Sequence, residues 1–187
     1  MRIKKKQELF ILSSLFIGAL ALRLPTIKSP LFGDEAISFN RYGHLSFSEI
    51  LFNYPDSNQH ALFSILSNFC LVIFGDNELA FRLPSLLAGV LLFPVVYYTS
   101  RSLGLAKSTS YVTLLLLALY VPHIFYSQEG RGYALTVFFA ACLVLSSVHI
   151  LGNYRLFLWG MVVVASATCM VITLPSNAIF VASTAGF

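Results

Sequence analysis

The sequence predicts an all-α polytopic membrane protein. It has about five transmembrane helices, a sixth begun near the C-terminal end, and amphipathic interfacial helices in a long first outer loop. Three observations carry this. Of the 187 residues, 57% are hydrophobic and 11% charged, with a mean hydropathy of +0.79. A soluble domain needs far more polar surface to cover its core. Apolar runs long enough to cross roughly 30 Å of hydrocarbon recur along the chain, and the basic residues sort to one side of them.

The first span covers about Glu8–Leu24. Arg2, Lys4, Lys5 and Lys6 precede it, as in a signal peptide. No small-residue cleavage site is clear and more spans follow, so it reads as an uncleaved first span. The others run about Leu83–Ser100, Thr109–Tyr126, Tyr133–Leu151 and Leu156–Leu174. The apolar tail Ser176–Phe187 reads as the start of a sixth, so the chain is expected to be the N-terminal part of a longer membrane domain. Cys70, Cys142 and Cys169 all sit in apolar runs without metal-type spacing, which points to packing. The charges do not cluster on one soluble face, which excludes nucleic acid as a partner.

His60–Phe74 is apolar but only 15 residues long, a reach of about 22 Å as a helix. His60, Ser64, Ser67 and Asn68 fall on one face. That pattern suits a helix lying in the interface. With this segment flat, Arg2, Lys4, Lys5, Lys6, Arg101, Lys107 and Arg155 share one side with a single acid, Glu8. The other side carries Asp34, Glu35, Glu49, Asp56, Asp76, Glu78 and Glu129 against Arg23, Lys28, Arg41, Arg82 and Arg131. That is the positive-inside pattern.

The outer loop then spans about Pro25–Arg82, and loops this long are usually functional. Ser46-Phe47-Ser48-Glu49 is a capping box, followed by Phe47, Ile50, Leu51 and Tyr54 on one face. Phe74-Gly75-Asp76 with Phe81-Arg82-Leu83-Pro84-Ser85 marks a turn and a helix start, a structural assignment.

Gly33-Asp34-Glu35 stands just past the first span. Two adjacent carboxylates there are either first-turn helix charges, which the dipole favours, or a general base whose pKa partial desolvation raises. Tyr126-Ser127-Gln128-Glu129-Gly130-Arg131-Gly132-Tyr133 is the short second outer loop. Arg131 either snorkels or pairs with Glu129, or its fork holds a phosphate, with Tyr133 hydrogen-bonding nearby. His60 is either an interfacial polar residue or a ligand to a metal or phosphate. His123 and His149 read as interfacial.

Taken in order, the Asp34-Glu35 pair, His60-Ala61-Leu62, Phe74-Gly75-Asp76, Arg82-Leu83-Pro84-Ser85 and the Tyr126–Tyr133 run resemble one family. It is the polyprenyl-phosphate-sugar-dependent glycosyltransferases of the membrane C-type fold, in their protein mannosyltransferase and aminoarabinose transferase branch. The resemblance covers about Leu22–Ile150; Ala61-Leu62 stand where the family often has prolines. It implies that Asp34 is the catalytic base, with Glu35, Arg131, Glu129, His60 and Tyr133 binding substrate. The donor is a sugar on a polyprenyl phosphate. The acceptor is a protein, lipid or glycan, and membrane lipids surround the spans. Positive charge for the departing phosphate comes from Arg131 or a divalent metal ion. The implied location is the inner membrane with the active face outward. The alternative is a non-catalytic membrane protein, a transporter subunit or a scaffold relative. A transporter is expected to place ionisable residues at mid-span, whereas the charges here lie near span ends.

Overall fold

The computed structural model describes residues 2–53, 56 and 58–185, and every regular element among them is helical. The order is α1 (Arg2–Arg23), α2 (Asp34–Tyr42), α3 (Phe47–Phe52), α4 (Ala61–Phe74), α5 (Glu78–Ser102), α6 (Lys107–Leu119), α7 (Val121–Gln128), α8 (Tyr133–Leu151), α9 (Leu156–Thr173) and α10 (Asn177–Ala185). By length and apolar composition α5, α8 and α9 are able to cross a membrane, and a fourth span counts if α6 and α7 are taken together. Three to four helices are thus able to span a membrane, consistent with a membrane protein. The 22-residue α1 is long enough, but Lys5, Lys6 and Glu8 at one end and Arg23 at the other interrupt its apolar run.

The expected third span is broken. α6 and α7 meet at Tyr120 with a bend of 58°. Tyr120 is extended (φ −69°, ψ 104°), and Pro122, which has no N–H to give the preceding turn, sits in the first turn of α7. The fourth span is α8 as expected, and the fifth, α9, ends one residue early. α5 starts five residues before the expected Leu83, because Asn77 caps it: its side chain accepts the Ala80 N–H at 2.9 Å.

The segment between α1 and α5 holds three helices. α2 is the helix whose first turn one reading of Asp34 and Glu35 called for, though its extent was not foreseen in the sequence. α3 has the expected capping box: Ser46 Oγ accepts the Glu49 N–H at 3.3 Å, and Glu49 Oε2 accepts the Ser46 N–H at 2.8 Å. The apolar face expected there splits, with Ile50 buried and Phe47 and Leu51 exposed; Tyr54 lies outside the described residues. In α4 the polar stripe faces inward. Ser64 and Ser67 are buried and Asn68 donates to the Leu45 carbonyl at 2.7 Å, while Phe69, Val72, Ile73 and Phe74 are exposed.

Three apolar clusters hold the bundle, one of them joining Ile27 to Leu86 and Val90 of α5. Phe63 and Leu71 of α4 meet Ala80, Phe81 and Ala88 of α5 and Ala134 and Leu135 of α8. Phe81 takes edge-to-face contacts from Phe39 and Phe63 at 5.2 and 5.3 Å, a geometry that adds about 0.5–1.5 kcal/mol per pair. Ala19, Phe93, Leu114 and Ala118 join α1, α5 and α6. Cys70 is buried, Cys142 and Cys169 are half-buried, and all three are free thiols.

Candidate functional site

Gly33 starts α2 with φ 59°, a backbone that favours glycine. Asp34 and Glu35 therefore occupy the first turn, at the positive end of the helix dipole. Their environments then diverge. Glu35 and Arg82 form a bidentate pair, Nε to Oε1 at 2.6 Å and Nη2 to Oε2 at 2.5 Å, with both side chains only 6% and 4% exposed. Glu35 Oε1 also accepts the Gly130 N–H at 2.6 Å. Arg82 Nη1 donates to the carbonyls of Ile27 (3.0 Å) and Ser29 (2.6 Å). This pair fastens the chain after α1, the start of α2, the start of α5 and the α7–α8 loop to one another.

Asp34 is left outward. Its side chain is 66% exposed, with Oδ2 3.8 Å from Arg131 Nη1. It lines a cavity of about 450 Å³ together with Ser29, Phe32, Phe125 and Glu129. Arg41 and Tyr42 of α2 hold Asp56, at 2.5 and 2.9 Å, which steadies the approach of the neighbouring Asn58 to the site.

The α7–α8 loop is thin because two glycines flank Arg131. A Cβ on Gly130 would overlap the Phe81 ring and come 2.8 Å from Glu35 Oε1; one on Gly132 would lie 2.5 Å from Thr173 Cγ2 and 3.0 Å from His60 Nδ1. Ser85 Oγ donates to the Arg131 carbonyl at 2.7 Å. The Arg131 side chain, 4% exposed, runs inward rather than snorkelling. Nη1 donates to Asn58 Oδ1, to the Asp34 carbonyl (3.3 Å) and to Ser38 Oγ (3.4 Å), and Nη2 donates to the Tyr133 hydroxyl (3.3 Å). Its guanidinium lies 5.5 Å from the Tyr133 ring centroid. His60 is buried; Nδ1 accepts the Gly132 N–H at 2.7 Å, and the ring meets Tyr133 edge to face at 4.9 Å.

The structure thus gathers all six sequence candidates around one loop: Asp34, Glu35, His60, Glu129, Arg131 and Tyr133. Glu129 is half-buried, and its Oε2 has no hydrogen-bond partner among the described residues. Burial pushes its carboxyl above the usual range, and Arg131 opposes that. A divalent metal does not fit this donor set. Both Glu35 oxygens are taken, His60 Nδ1 is taken, and among the described residues no three metal-ligating side chains converge.

One cluster was not expected. Arg23 is fully buried, donating to the Ala19 carbonyl (2.7 Å) and Ser127 Oγ (3.3 Å), with Nη2 2.6 Å from His123 Nδ1. His123 is a buried partner rather than an interfacial residue. His149, half-buried at the C-terminal end of α8, stacks on Trp159 at 4.2 Å. Nothing in the local sequence pairs Arg23 with a residue 100 positions away.

Compared with known protein families, with characterised proteins and with solved structures, the chain matches none.

Proposed function

We propose that the chain carries the membrane site of a glycosyltransferase. It moves a sugar from a polyprenyl-phosphate donor to an acceptor hydroxyl on a protein, lipid or glycan, at the outer face of the inner membrane. The observation that carries this reading is a solvated carboxylate, Asp34, on a cavity wall with a buried guanidinium, Arg131, 3.8 Å behind it. Asp34 takes the proton of the acceptor hydroxyl as that oxygen attacks the anomeric carbon. The bond from this carbon to the phosphate oxygen breaks, and the lipid phosphate leaves with the electron pair. Arg131 offsets the charge that develops there. A single displacement of this kind inverts the anomeric centre.

The topology that goes with it has five spans: α1, α5, the bent α6–α7 pair, α8 and α9. α2–α4 lie at the outer interface, where the exposed Phe47, Phe52, Phe69 and Val72 meet lipid. Asp34→Asn, assayed for sugar transfer from a lipid-phosphate donor in membranes where insertion is normal, is expected to lose on the order of 10²–10⁴ in rate. Near wild-type turnover removes Asp34 from the mechanism.

The alternative, a non-catalytic transporter subunit or scaffold, has one observation on its side. Arg23 and His123 are ionisable groups buried among the helices, a setting that marks ion paths in transporters. An ion path fails in vesicle flux assays when Arg23 is replaced by Met, whereas Asp34→Asn leaves it intact.

A further inference from the structure

The two buried arginines of the outer site are used differently. Arg82 gives its Nε–Nη2 edge to the Glu35 carboxylate. Arg131 presents the same edge to no carboxylate. Its Nε has no hydrogen-bond partner among the described residues, and Nη2 donates only to the Tyr133 hydroxyl at 3.3 Å. Leaving a buried charged donor unmet is costly.

His60 stands at that edge, with Nε2 3.4 Å from Arg131 Nη2. Its Nδ1 accepts the Gly132 N–H. A neutral imidazole carries one ring proton, so an accepting Nδ1 places that proton on Nε2. The ring stays neutral, because burial and then the Arg131 charge push its pKa down to about 3. Nε2–H and the Nη2 hydrogens thus face each other as donor to donor, and neither satisfies the other. An oxyanion is the group that satisfies both.

We propose that His60 Nε2–H and the Nε–Nη2 edge of Arg131 form one anion subsite for a phosphate ester, in which His60 is a neutral hydrogen-bond donor. This deepens the reading of a phosphate-bearing donor and rests on it for the choice of phosphate. It also gives His60 a role that a metal ligand does not have, since Nε2 carries a proton and offers no lone pair.

The test uses the whole chain in nanodiscs, with dodecyl phosphate as the lipid probe and inorganic phosphate as the free one. His60→Asn is the deciding variant: its side-chain oxygen reaches the place of Nδ1 and keeps the Gly132 bond, but nothing replaces Nε2–H. Dodecyl phosphate affinity is expected to fall about 10- to 100-fold, the worth of a hydrogen bond to a charged group. In ¹⁵N-histidine spectra, with His60 assigned by its loss in His60→Asn, the ring is expected as the Nε2–H tautomer, and that resonance moves on adding dodecyl phosphate.

Affinity within twofold of wild type in His60→Asn, or an Nδ1–H tautomer, overturns the subsite, as does failure of the wild type to bind either probe. Tighter binding of dodecyl phosphate than of inorganic phosphate assigns the subsite to a lipid headgroup; equal binding assigns it to free phosphate. If dodecyl phosphate binds as expected and no sugar moves from a lipid-phosphate donor, the glycosyl-transfer reading fails and the subsite stands. If sugar moves and His60→Asn transfers it with unchanged donor KM, the subsite alone fails.

Discussion

Adjacent carboxylates in this chain are expected to respond very unequally to the same substitution. Glu35→Ala removes the carboxylate from a pair whose side chains are almost wholly buried. Arg82 keeps its carbonyl acceptors at Ile27 and Ser29, but its charge is left uncompensated, and the Gly130 N–H loses its acceptor. Breaking a buried pair from one side costs about 3–5 kcal/mol; the orphaned amide overlaps with that figure and is not added. At about 2–4 °C per kcal/mol for a chain of this size, melting should fall by roughly 6–20 °C. Asp34→Ala, by contrast, truncates a side chain 66% exposed and should stay within about 0.5 kcal/mol of wild type. The free thiols Cys70, Cys142 and Cys169 provide the assay: heating in detergent with a thiol-reactive dye reports when the bundle opens. Replacing both partners, Glu35→Met with Arg82→Met, should recover part of the loss. Equal melting of Glu35→Ala and Asp34→Ala would refute the assignment of Glu35 as a structural clamp.

Three other outcomes follow from the same geometry. Glu129→Gln should raise thermal stability at pH 7, because burial raises the folded pKa of Glu129 above its unfolded value. The folded chain then carries a disfavoured ion at high pH, so the gain grows as pH rises from about 4.5 and vanishes below it; a gain that grew toward acid would contradict the sign. Gly130→Ala, whose Cβ overlaps the Phe81 ring, should destabilise by about 1–3 kcal/mol, read by the same melting assay, while Gly18→Ala, with open space around it, should not. Cysteines placed at Asp56 and Glu78 should both react with an impermeant reagent added from outside; labelling of only one would mean that α4 crosses the membrane.

Features set by neighbours in the chain were legible in the sequence. The Ser46–Glu49 box is a three-residue relation, and α8 and α9 declare themselves by unbroken apolar runs bounded by turns. The break at Tyr120 was signalled by Pro122 but hidden by continuous hydropathy across it. α2 is nine residues long with a polar face, too short to stand out, and it is held by a contact from Glu35 to Arg82 47 positions on. Gly130 and Gly132 were visible as letters, but only the packed Phe81, Glu35, His60 and Thr173 around them give the reason for two glycines. Arg131 was expected at the boundary. Its burial depends on Asn58, Ser38 and Tyr133 converging from three segments, which no local pattern encodes.

The reach of Glu35 has a consequence for how the chain is made. Its acceptor role toward the Gly130 N–H links positions 95 residues apart. At roughly 5–20 residues per second, the ribosome needs about 5–20 s after delivering Glu35 before Gly130 exists. Arg82 follows 47 positions after Glu35, so on the proposed topology the ion pair of the clamp forms first and only its Gly130 contact is left waiting. On the proposed topology the segment after α1 is therefore late to mature: α1, α5 and α6–α7 are threaded first, and its link to the α7–α8 loop closes only when the start of α8 emerges. Nascent chains stalled before Gly130 should leave this segment open to external protease, and chains stalled well beyond Tyr133 should protect it.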